Sequence, residues 1–397
     1  MNQSTNYFGQ HLFSQLISLC NKQILTPVIA KSKSNHYYKQ LKTYEHFVAM
    51  LHCVVTGSTS LREIEDGFGI AQGKLNHLGI EYVPPRSTLS DGNKNRSADV
   101  FKSIYKALYA LYKPSFSDST LSKSILDNLF LMDATVFSLF KAILKTSGRH
   151  NDNGKKKGGI KKNTVLHGTS LIIDFSAAAD SDQNIYNKLQ LPQGSYVVFD
   201  KGYNNYKQYA KFTEQGVFFV TRQKDNAIYD IAVECLHDDT TTSNILQETI
   251  ITQTYNDDLN NLKKLRLRRI AWYDEKQNRS YEFIPNNLEL DAEKIALLYK
   301  YRWKIELFFK KLKQNFPLQY FVGDNQNAIE IQIWMALVAL LLLSVIHQNN
   351  KTKMAFSVFV TISKLHLFNY ISIKQLLTEY KKKKPSKSTQ TDMFNSS

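Results

Sequence analysis

Residues 129–137 read Leu129-Phe130-Leu131-Met132-Asp133-Ala134-Thr135-Val136-Phe137, an apolar stretch with one carboxylate at its centre. An unbroken run of apolar and β-branched side chains predicts a strand. Thr164–His167 and Leu171–Phe175 are two further strand-like runs, and the tight turn Gly168-Thr169 between them predicts a hairpin. These three predicted strands are the start of the predicted sheet.

Helices and strands alternate after the hairpin. The patterning predicts, in order, a short helix near Asp182 to Lys188, a strand over Tyr196–Asp200, a helix over Asn205–Gln215 and a strand over Val217–Thr221. Three strands, a helix, a strand, a helix and a strand are the order in which a ribonuclease-H-like layer begins. We therefore predict an α/β fold with a ribonuclease-H-like core.

Changes in residue pattern along the chain, from helical to strand-like and back, predict five parts. They are a helical N-terminal domain over 1–113, the first part of the core over 124–224, a β-rich insertion over 225–290, a long helix with the rest of the core over 291–350, and a C-terminal helical region with a basic tail over 351–397.

Two features of the N-terminal domain concern its helix ends. Ser60 and Glu63 have the spacing of a capping box, which predicts a helix start. The break at Pro84-Pro85 precedes a restarted helix, which either belongs to a helix-turn-helix or forms an ordinary helical corner. In the first case it would carry basic side chains towards DNA, namely Arg86, Lys94 and Arg96.

Charge and cysteine usage restrict the partners and the compartment. The chain has 51 Lys and Arg against 35 Asp and Glu, a formal net charge of +16, which favours a polyanionic partner such as nucleic acid or an anionic membrane surface. Its three scattered cysteines argue against a Cys-x-x-Cys metal site and a disulfide framework. The longest apolar run, Ile333–Ile346, is shorter than the roughly 20 residues that cross a bilayer. Since a signal-peptide pattern is also missing, we expect a cytoplasmic protein, no membrane partner and a buried core helix at this run.

Two acids interrupt or end apolar strands. Asp133 lies inside one, and an unpaired buried carboxylate is costly unless a cation or hydrogen-bond donor is nearby. Asp200 ends another and precedes Lys201-Gly202-Tyr203, which puts its carboxylate at the sheet edge where α/β folds bind ligands. Either acid by itself is more often a cap or a turn former.

A helix in the last part of the core carries polar side chains on one stripe. At about 3.6 residues per turn, four residues share this stripe: Tyr299, Arg302, Glu306 and Lys313. The adjacent stripe, which includes Leu298 and Tyr301, has the spacing of a buried ridge. Spacing alone also fits a solvated amphipathic helix with an ion pair.

Together these residues resemble the transposases of the insertion-sequence-4 family, DDE enzymes whose signature is Tyr, Arg, Glu and Lys at this spacing. The sequences of residues 298–310, 199–203 and 220–226 are also similar to those of the family, as is Met132-Asp133-Ala134-Thr135. The resemblance extends from about residue 40 to 350. Several ordered blocks make it more specific than any single motif.

The resemblance implies that Asp133, Asp200 and Glu306 are the catalytic, metal-holding carboxylates. Oxygen ligands of this kind suit Mg²⁺ or Mn²⁺, and two ions per active site would hold the scissile phosphate for in-line phosphoryl transfer. The family's activity is to cut the transposon ends and to join them to target DNA. No covalent protein nucleophile is needed for either step.

The resemblance also implies DNA-binding residues. Three members of the signature would grip the phosphate backbone beside the cut: Tyr299, Arg302 and Lys313. Trp272, in the β-rich insertion, could stack on an unpaired base, although a packed core tryptophan is the more common case. The basic run that contains Lys157 and Lys161 could contact phosphates, or it is a solvated loop.

The leading hypothesis is an insertion-sequence transposase that acts on double-stranded DNA at terminal inverted repeats and at target DNA. By resemblance, we expect a homodimer on paired ends, associated with a bacterial nucleoid. The alternatives are a ribonuclease-H-like nuclease without strand joining and a non-catalytic DNA-binding derivative. The complete signature and the long insertion favour the transposase.

Overall fold

The structure, a computed structural model, describes residues 9–116, 121–138, 148–150, 156–167, 170–177, 191–235, 244–316, 318 and 320–382. Its contacts divide the chain into two compact units. The helical unit comprises the described residues of 1–115, 314–317 and 321–397. The sheet unit comprises those of 116–313 and 318–320. The predicted helix near Asp182 to Lys188 lies outside the described residues.

Helices make up the N-terminal part of the helical unit. They are α1 (Leu12–Ser18), α2 (Lys22–Ser32), α3 (Thr43–Thr56), α4 (Leu61–Ile70), α5 (Arg86–Asn95) and α6 (Ala98–Tyr112), with a 3₁₀ turn at Gln72–Leu78. Ser60 caps α4 as predicted, because its hydroxyl accepts the Glu63 amide at 3.3 Å. The Glu63 carboxylate instead reaches the amide of Thr59, one residue earlier than in a capping box.

The helix-turn-helix alternative would turn Arg96 towards DNA, but the structure buries this side chain. Arg96 follows α5 and is 2% exposed. Its guanidinium donates to the carbonyls of Ser34 and Leu41 and lies 2.8 Å from Nδ1 of His46. Tyr38 stacks on it at 4.0 Å. An arginine whose donors are used inside the unit is a structural residue, which favours the ordinary helical corner.

The first half of the sheet unit contains three parallel strands beside an antiparallel hairpin. Its elements are α7 (Lys123–Asp127), β1 (Leu129–Ser138), β2 (Gly148–His150), β3 (Lys156–His167), β4 (Ser170–Ala177), β5 (Tyr196–Val198), α8 (Tyr206–Glu214) and β6 (Phe218–Arg222). Strands β1, β5 and β6 run parallel, and β3 is antiparallel to both β1 and β4. The β3–β4 hairpin confirms the predicted pairing, and it is longer than predicted because β3 already begins at Lys156.

The core of this half lies between the sheet and α8. Phe199, directly after β5, and Phe219 on β6 stack at 6.0 Å, and Tyr209 of α8 stacks on Phe219 at 4.3 Å. All three side chains are buried. Gly216 has φ +67°, the left-handed conformation that favours glycine after a helix end, and it turns the chain from α8 into β6. This packing fixes the ends of β5 and β6 relative to each other.

The segment predicted as a β-rich insertion continues the same sheet. It forms β7 (Asp230–Cys235), β8 (Ile245–Asn256), β9 (Leu262–Asp274) and β10 (Arg279–Pro285). Strand β10 pairs antiparallel with β6, with Phe283 opposite Arg222. Within the described residues the sheet order is β2-β3-β1-β5-β6-β10-β9-β8-β7, with β4 beside β3.

The helical stretch predicted from Asp291 to Ile346 is two helices in two units. The long helix α9 (Ala292–Asn315) belongs to the sheet unit up to Lys313. The next helix, α10 (Gln326–Asn349), packs on α3 and α6 of the helical unit, although we expected it to complete the core.

In the described part of the chain, α10 is the one helix long and apolar enough to cross a membrane. Because 89% of its apolar window is buried among other helices, it is a core helix, as predicted for Ile333–Ile346. Helices α11 (Phe356–Leu365) and α12 (Ile373–Lys382) follow.

Candidate active site

The ends of β5 and β6 bring an acid and an arginine together. Val198 pairs with Val220 in the parallel register of the two strands, and Asp200 and Arg222 each lie two residues further on. A terminal N–H of Arg222 donates to Oδ1 of Asp200 over 2.9 Å. Sequence reasoning missed Arg222. No local pattern marks it, because its offset from Val220 matters only once the pairing of Val198 with Val220 is known.

Tyr299 on α9 reaches the same carboxylate. Its hydroxyl donates to Oδ1 of Asp200 over 3.1 Å. The tyrosine side chain is buried, and its ring lies 5.0 Å from that of Phe283 on β10. Packing between α9 and β10 therefore places Tyr299 against the predicted metal-holding aspartate.

Arg302 and Glu306 follow on the next turns of α9. Arg302 is 3% exposed and donates to Oε1 of Glu306 over 2.6 Å, whereas the Glu306 side chain is 53% exposed. The guanidinium carbons of Arg302 and Arg222 lie 5.0 and 5.7 Å from the centroid of the Tyr299 ring. Both cations are within the distance of a cation–π interaction, so the ring contacts both and links the two acid–arginine pairs.

The electrostatics keep Asp200 ionised. Partial burial raises the pKa of its carboxyl, but the charges of Arg302 and Arg222 and the hydrogen bond from Arg222 outweigh burial, so the pKa is lowered from its ordinary value. Burial is also the main cause that raises the pKa of Tyr299, which keeps its phenol protonated as a donor. The site thus presents an anionic carboxylate between neutral and cationic donors.

Asp133 occupies the corresponding position on β1. Leu131 pairs with Val198 in the parallel register of β1 and β5, so Asp133, Asp200 and Arg222 each lie two residues beyond paired positions on three adjacent strands. The structure describes the backbone of Asp133 and not its side chain. Its backbone register agrees with the prediction that Asp133 and Asp200 are neighbours.

The remaining predicted site residues are on α9, β9 and β3. Lys313 is seven residues beyond Glu306, or about 10 Å along the α9 axis, and is exposed. The partly buried ring of Trp272 lies 6.2 and 6.1 Å from the rings of Tyr281 and Phe283, with Nζ of Lys300 at 5.9 Å. Trp272 therefore contributes to packing between β9, β10 and α9. Two other predicted DNA contacts are on the backbone of β3, with side chains outside the described part: Lys157 and Lys161.

The donor set fits a hard divalent cation. Asp200 is ionised and 35% exposed, and Glu306 offers a second partly exposed carboxylate. Carboxylate oxygens are the ligands that Mg²⁺ and Mn²⁺ prefer. Among the side chains that the structure describes, no three His, Cys, Asp or Glu residues cluster closely enough to hold a metal ion. The third predicted ligand, Asp133, is not among these side chains.

Comparison with known proteins identifies the family. Residues 125–342 match the Transposase DDE domain, and residues 8–81 match a domain of unknown function (DUF4372). A Sinorhizobium fredii protein named as a transposase, y4zB, is 27% identical over 278 residues, which cover 68% of this chain and 74% of that protein. A Synechocystis protein named as a transposase for the insertion sequence element IS4SA is 26% identical over 66% of this chain and 71% of its own length. A Geobacillus stearothermophilus protein, named as a transposase for element IS5377, is 26% identical over 69% of this chain and 71% of its own length.

The match to the Transposase DDE domain covers more than half of the chain, and it spans both the strand ends that hold Asp200 and Arg222 and the helix that holds Tyr299 and Glu306. DDE transposases depend on divalent metal ions and act on DNA, which agrees with an acidic site in a chain of net charge +16. The prediction of a DDE transposase is therefore confirmed. The chain belongs to the DDE transposases of insertion sequences.

Proposed function

We propose that this transposase is a member of the insertion-sequence-4 family that cuts transposon ends and joins them to target DNA with a ribonuclease-H-like catalytic core. The sheet order β4-β3-β1-β5-β6, with only β3 antiparallel to its neighbours β1 and β4, supports such a core. The observation that carries the proposal is the contact between Tyr299 and Asp200. It joins the Tyr-Arg-Glu-Lys helix to the acid-bearing strand end in one site.

We assign the roles of catalytic acids to Asp133, Asp200 and Glu306. Their carboxylates would hold two Mg²⁺ or Mn²⁺ ions, which supply Lewis-acid activation of the attacking and leaving oxygens in phosphoryl transfer. Asp200 suits this role because its lowered pKa keeps it deprotonated at neutral pH. Glu306 suits it because its side chain is the more exposed partner of its ion pair.

Tyr299 and Arg302 position the acids and the DNA strand. The buried phenol of Tyr299 orients Asp200. The buried Arg302 orients Glu306, and its Nε–H has no hydrogen-bond partner in the described part of the chain. A buried donor without a partner is costly, and an oxygen of the DNA backbone would satisfy it. Lys313, further along α9, would hold the backbone as a point charge.

The DNA partners we propose are the terminal inverted repeats of the element and its target DNA. The net charge of +16 supports binding to a polyanion. We assign end recognition to the helical N-terminal region, where Arg86 and Lys94 of α5 are exposed. Two copies on paired ends, in the bacterial nucleoid, would bring both ends to one target.

A cleavage assay tests the proposal. A labelled duplex that carries the DNA flanking the gene is incubated with the protein in Mg²⁺ or in EDTA, and a supercoiled plasmid serves as target. We expect metal-dependent nicking at the element end and end-joined plasmid. Asp200→Ala should abolish both products, whereas Asp230→Ala, which removes an exposed acid on β7, should not.

The outcomes separate the alternatives. Nicking without joined plasmid would favour the nuclease. Specific binding without metal-dependent cleavage would favour a non-catalytic derivative. Full cleavage by Asp200→Ala would contradict the assignment of the site.

A further inference from the structure

We propose that Arg222 is a positioning residue that takes the place of the metal's positive charge on Asp200 in the metal-free protein, so that a divalent ion must displace its guanidinium in order to bind. The inference rests on the proposed function, since it assumes that Asp200 is a metal ligand. The inference gives a role to Arg222, which is outside the predicted signature. It also predicts that this arginine lowers the affinity of the DNA-free protein for the metal ion.

The geometry places Arg222 in direct competition for Asp200. Its N–H donates to Oδ1 over 2.9 Å, and the two side chains are 21% and 35% exposed. A charge-assisted hydrogen bond in a partly shielded setting is stronger than a surface ion pair. The oxygen also accepts the Tyr299 hydroxyl, so it already has two donors before any ion arrives.

The fold holds Arg222 in this place. The residue ends β6, between β5 on one side and β10 on the other, where it pairs with Phe283. The rings of Tyr281 and Tyr299 lie 5.9 and 5.7 Å from its guanidinium carbon. Because strand pairing and two aromatic rings confine it, the guanidinium is preorganised beside the carboxylate.

Within the described part of the chain, Arg222 does not use all of its hydrogen-bond donors, as a purely structural arginine would. Its Nε–H is buried and has no hydrogen-bond partner among the described residues. The buried Arg96, in contrast, uses Nε and both terminal nitrogens on partners within its unit. Arg222 thus depends on Asp200 for its contact with an anion, and loss of that contact leaves it free to take another anion.

Glu306, the second acid of the site, is paired with an arginine in the same way as Asp200. Arg302 donates to Glu306 over 2.6 Å, and its Nε–H is likewise buried without a partner in the described part. Metal binding at both acids would release two guanidinium groups that lie around one tyrosine ring. By linkage, an anion that binds the released arginines strengthens metal binding, and the metal strengthens anion binding by the same factor.

Metal titration of the full-length protein without DNA tests the inference. The dissociation constant for Mn²⁺ is measured by electron paramagnetic resonance for the wild type and for Arg222→Gln, with Arg266→Gln as the matched control. Arg266 is an exposed arginine on β9 of the same sheet. Loss of one charged hydrogen bond should tighten Mn²⁺ binding by about tenfold in Arg222→Gln. Arg266→Gln should bind as the wild type does.

Two more variants make the result decisive. Arg222→Met preserves the apolar stem against Tyr281 and Tyr299 and serves if thermal unfolding in EDTA shows that Arg222→Gln is not folded. Arg222→Lys retains the positive charge and should bind Mn²⁺ about as weakly as the wild type. Unchanged or weaker Mn²⁺ binding by the folded neutral variant would overturn the inference, as would equal tightening in Arg222→Lys.

Asp200→Asn separates this inference from the proposed function. If Asp200→Asn binds Mn²⁺ as well as the wild type, the metal site itself is wrong and the inference falls with it. If binding depends on Asp200 and removal of Arg222 does not tighten it, only the role of Arg222 is wrong.

Discussion

The hydroxyl of Tyr299 donates a hydrogen bond over 3.1 Å to Oδ1 of Asp200, a residue 99 positions earlier in the chain. This contact spans the whole of β7 to β10 in sequence, yet it is made within one unit because β10 pairs with β6. The long insertion between the strand that carries Asp200 and helix α9 is therefore part of the structure that positions them. Changes at the contact should affect cleavage more than folding.

Replacement of Tyr299 by Phe tests the orienting role of its hydroxyl. The ring and its packing on Phe283 are retained, and one hydrogen bond to Asp200 is lost. The free energy of unfolding should fall by about 1 kcal/mol. The cleavage rate should fall further, by about tenfold to a hundredfold, because the carboxylate loses one of the donors that hold its orientation. Denaturant unfolding and single-turnover cleavage provide the two measurements.

Tyr273→Phe is the matched control for this variant. Its hydroxyl donates to Asn278 in the turn between β9 and β10, away from the acids. Because its hydrogen bond is exposed, this variant should lose no more stability than Tyr299→Phe, and it should retain the wild-type cleavage rate. Equal loss of rate in both variants would argue that Tyr299 acts only through stability.

Substitution of Glu306 by Gln should separate catalysis from DNA binding. The amide is the same size as the carboxylate and its oxygen can still accept from Arg302, so the helix surface is preserved. Because we propose that Glu306 holds a metal ion, loss of its carboxylate is expected to lower the cleavage rate by about 1000-fold or more, which corresponds to several kcal/mol in the barrier. The dissociation constant for end DNA, measured by gel shift, should change little.

Two further variants test whether Glu306 acts in catalysis and not in DNA binding. Glu293→Gln, an exposed acid in the first turn of the same helix, should leave cleavage unchanged. Arg302→Ala should weaken both binding and cleavage, since it removes a buried cation beside both acids. If Glu306→Gln loses DNA affinity as strongly as Arg302→Ala does, the two roles are not distinct.

Local patterns predicted the strands, the hairpin and helix α9 because these depend on short-range alternation and propensity. That Asp133 and Asp200 are neighbours was predicted only through the resemblance to the family. The backbone register agrees with it, since each residue lies two positions beyond the paired Leu131 and Val198. Arg222 was not found because a single arginine after an apolar run has no distinctive local pattern. Only the strand register shows that it faces Asp200.

The missed features of the helical unit have a different cause. Arg96 lies in a polar stretch that has the pattern of a surface, and its burial depends on carbonyls of Ser34 and Leu41, more than 50 positions away. Apolar patterning predicted that α10 is a buried helix. Because every face of α10 is apolar, the pattern did not indicate which elements cover it, and they are the N-terminal helices α3 and α6. Long-range partners of this kind are a tertiary property.

A buried ion pair in the continued sheet should contribute to the placement of α9. Arg268 on β9 donates to Glu248 on β8 over 2.5 Å, with side-chain exposures of 6% and 12%, and also to the carbonyl of Leu290 just before α9. Removal of one partner leaves a buried charge uncompensated. Arg268→Met should therefore lower the free energy of unfolding by about 3 to 5 kcal/mol.

A double-mutant cycle isolates the pair. Arg268→Met combined with Glu248→Leu should be less destabilising than the sum of the single variants, because neither charge is then left alone. Arg266→Met, an exposed neighbour on β9, should change the free energy by no more than about 0.5 kcal/mol. Additive losses in the cycle would show that the two side chains do not interact.

The pH dependence of the helical unit should depend in part on His52. Its ring is 3% exposed, lies 4.7 and 5.6 Å from the rings of Phe68 and Phe368, and has a buried Nδ1 without a partner in the described part. Burial lowers the pKa of His52 from its ordinary 6.5 to about 4. Between these two values the unfolded chain binds the proton and the folded unit does not. The stability contributed by a neutral His52 is thus fully present above pH 6.5 and is lost as the pH falls towards 4, by about 3 kcal/mol.

His52→Phe removes this titration and keeps an aromatic ring among its neighbours. We expect the wild type to lose more stability than His52→Phe when the pH is lowered from 7 to 4.5. Hydrogen–deuterium exchange of the α3 peptides reports the helical unit separately from the sheet unit. His36→Gln, which replaces an exposed histidine, should follow the wild-type curve. Parallel pH curves for the wild type and His52→Phe would mean that His52 is protonated in the folded protein, which would contradict its burial as a neutral ring.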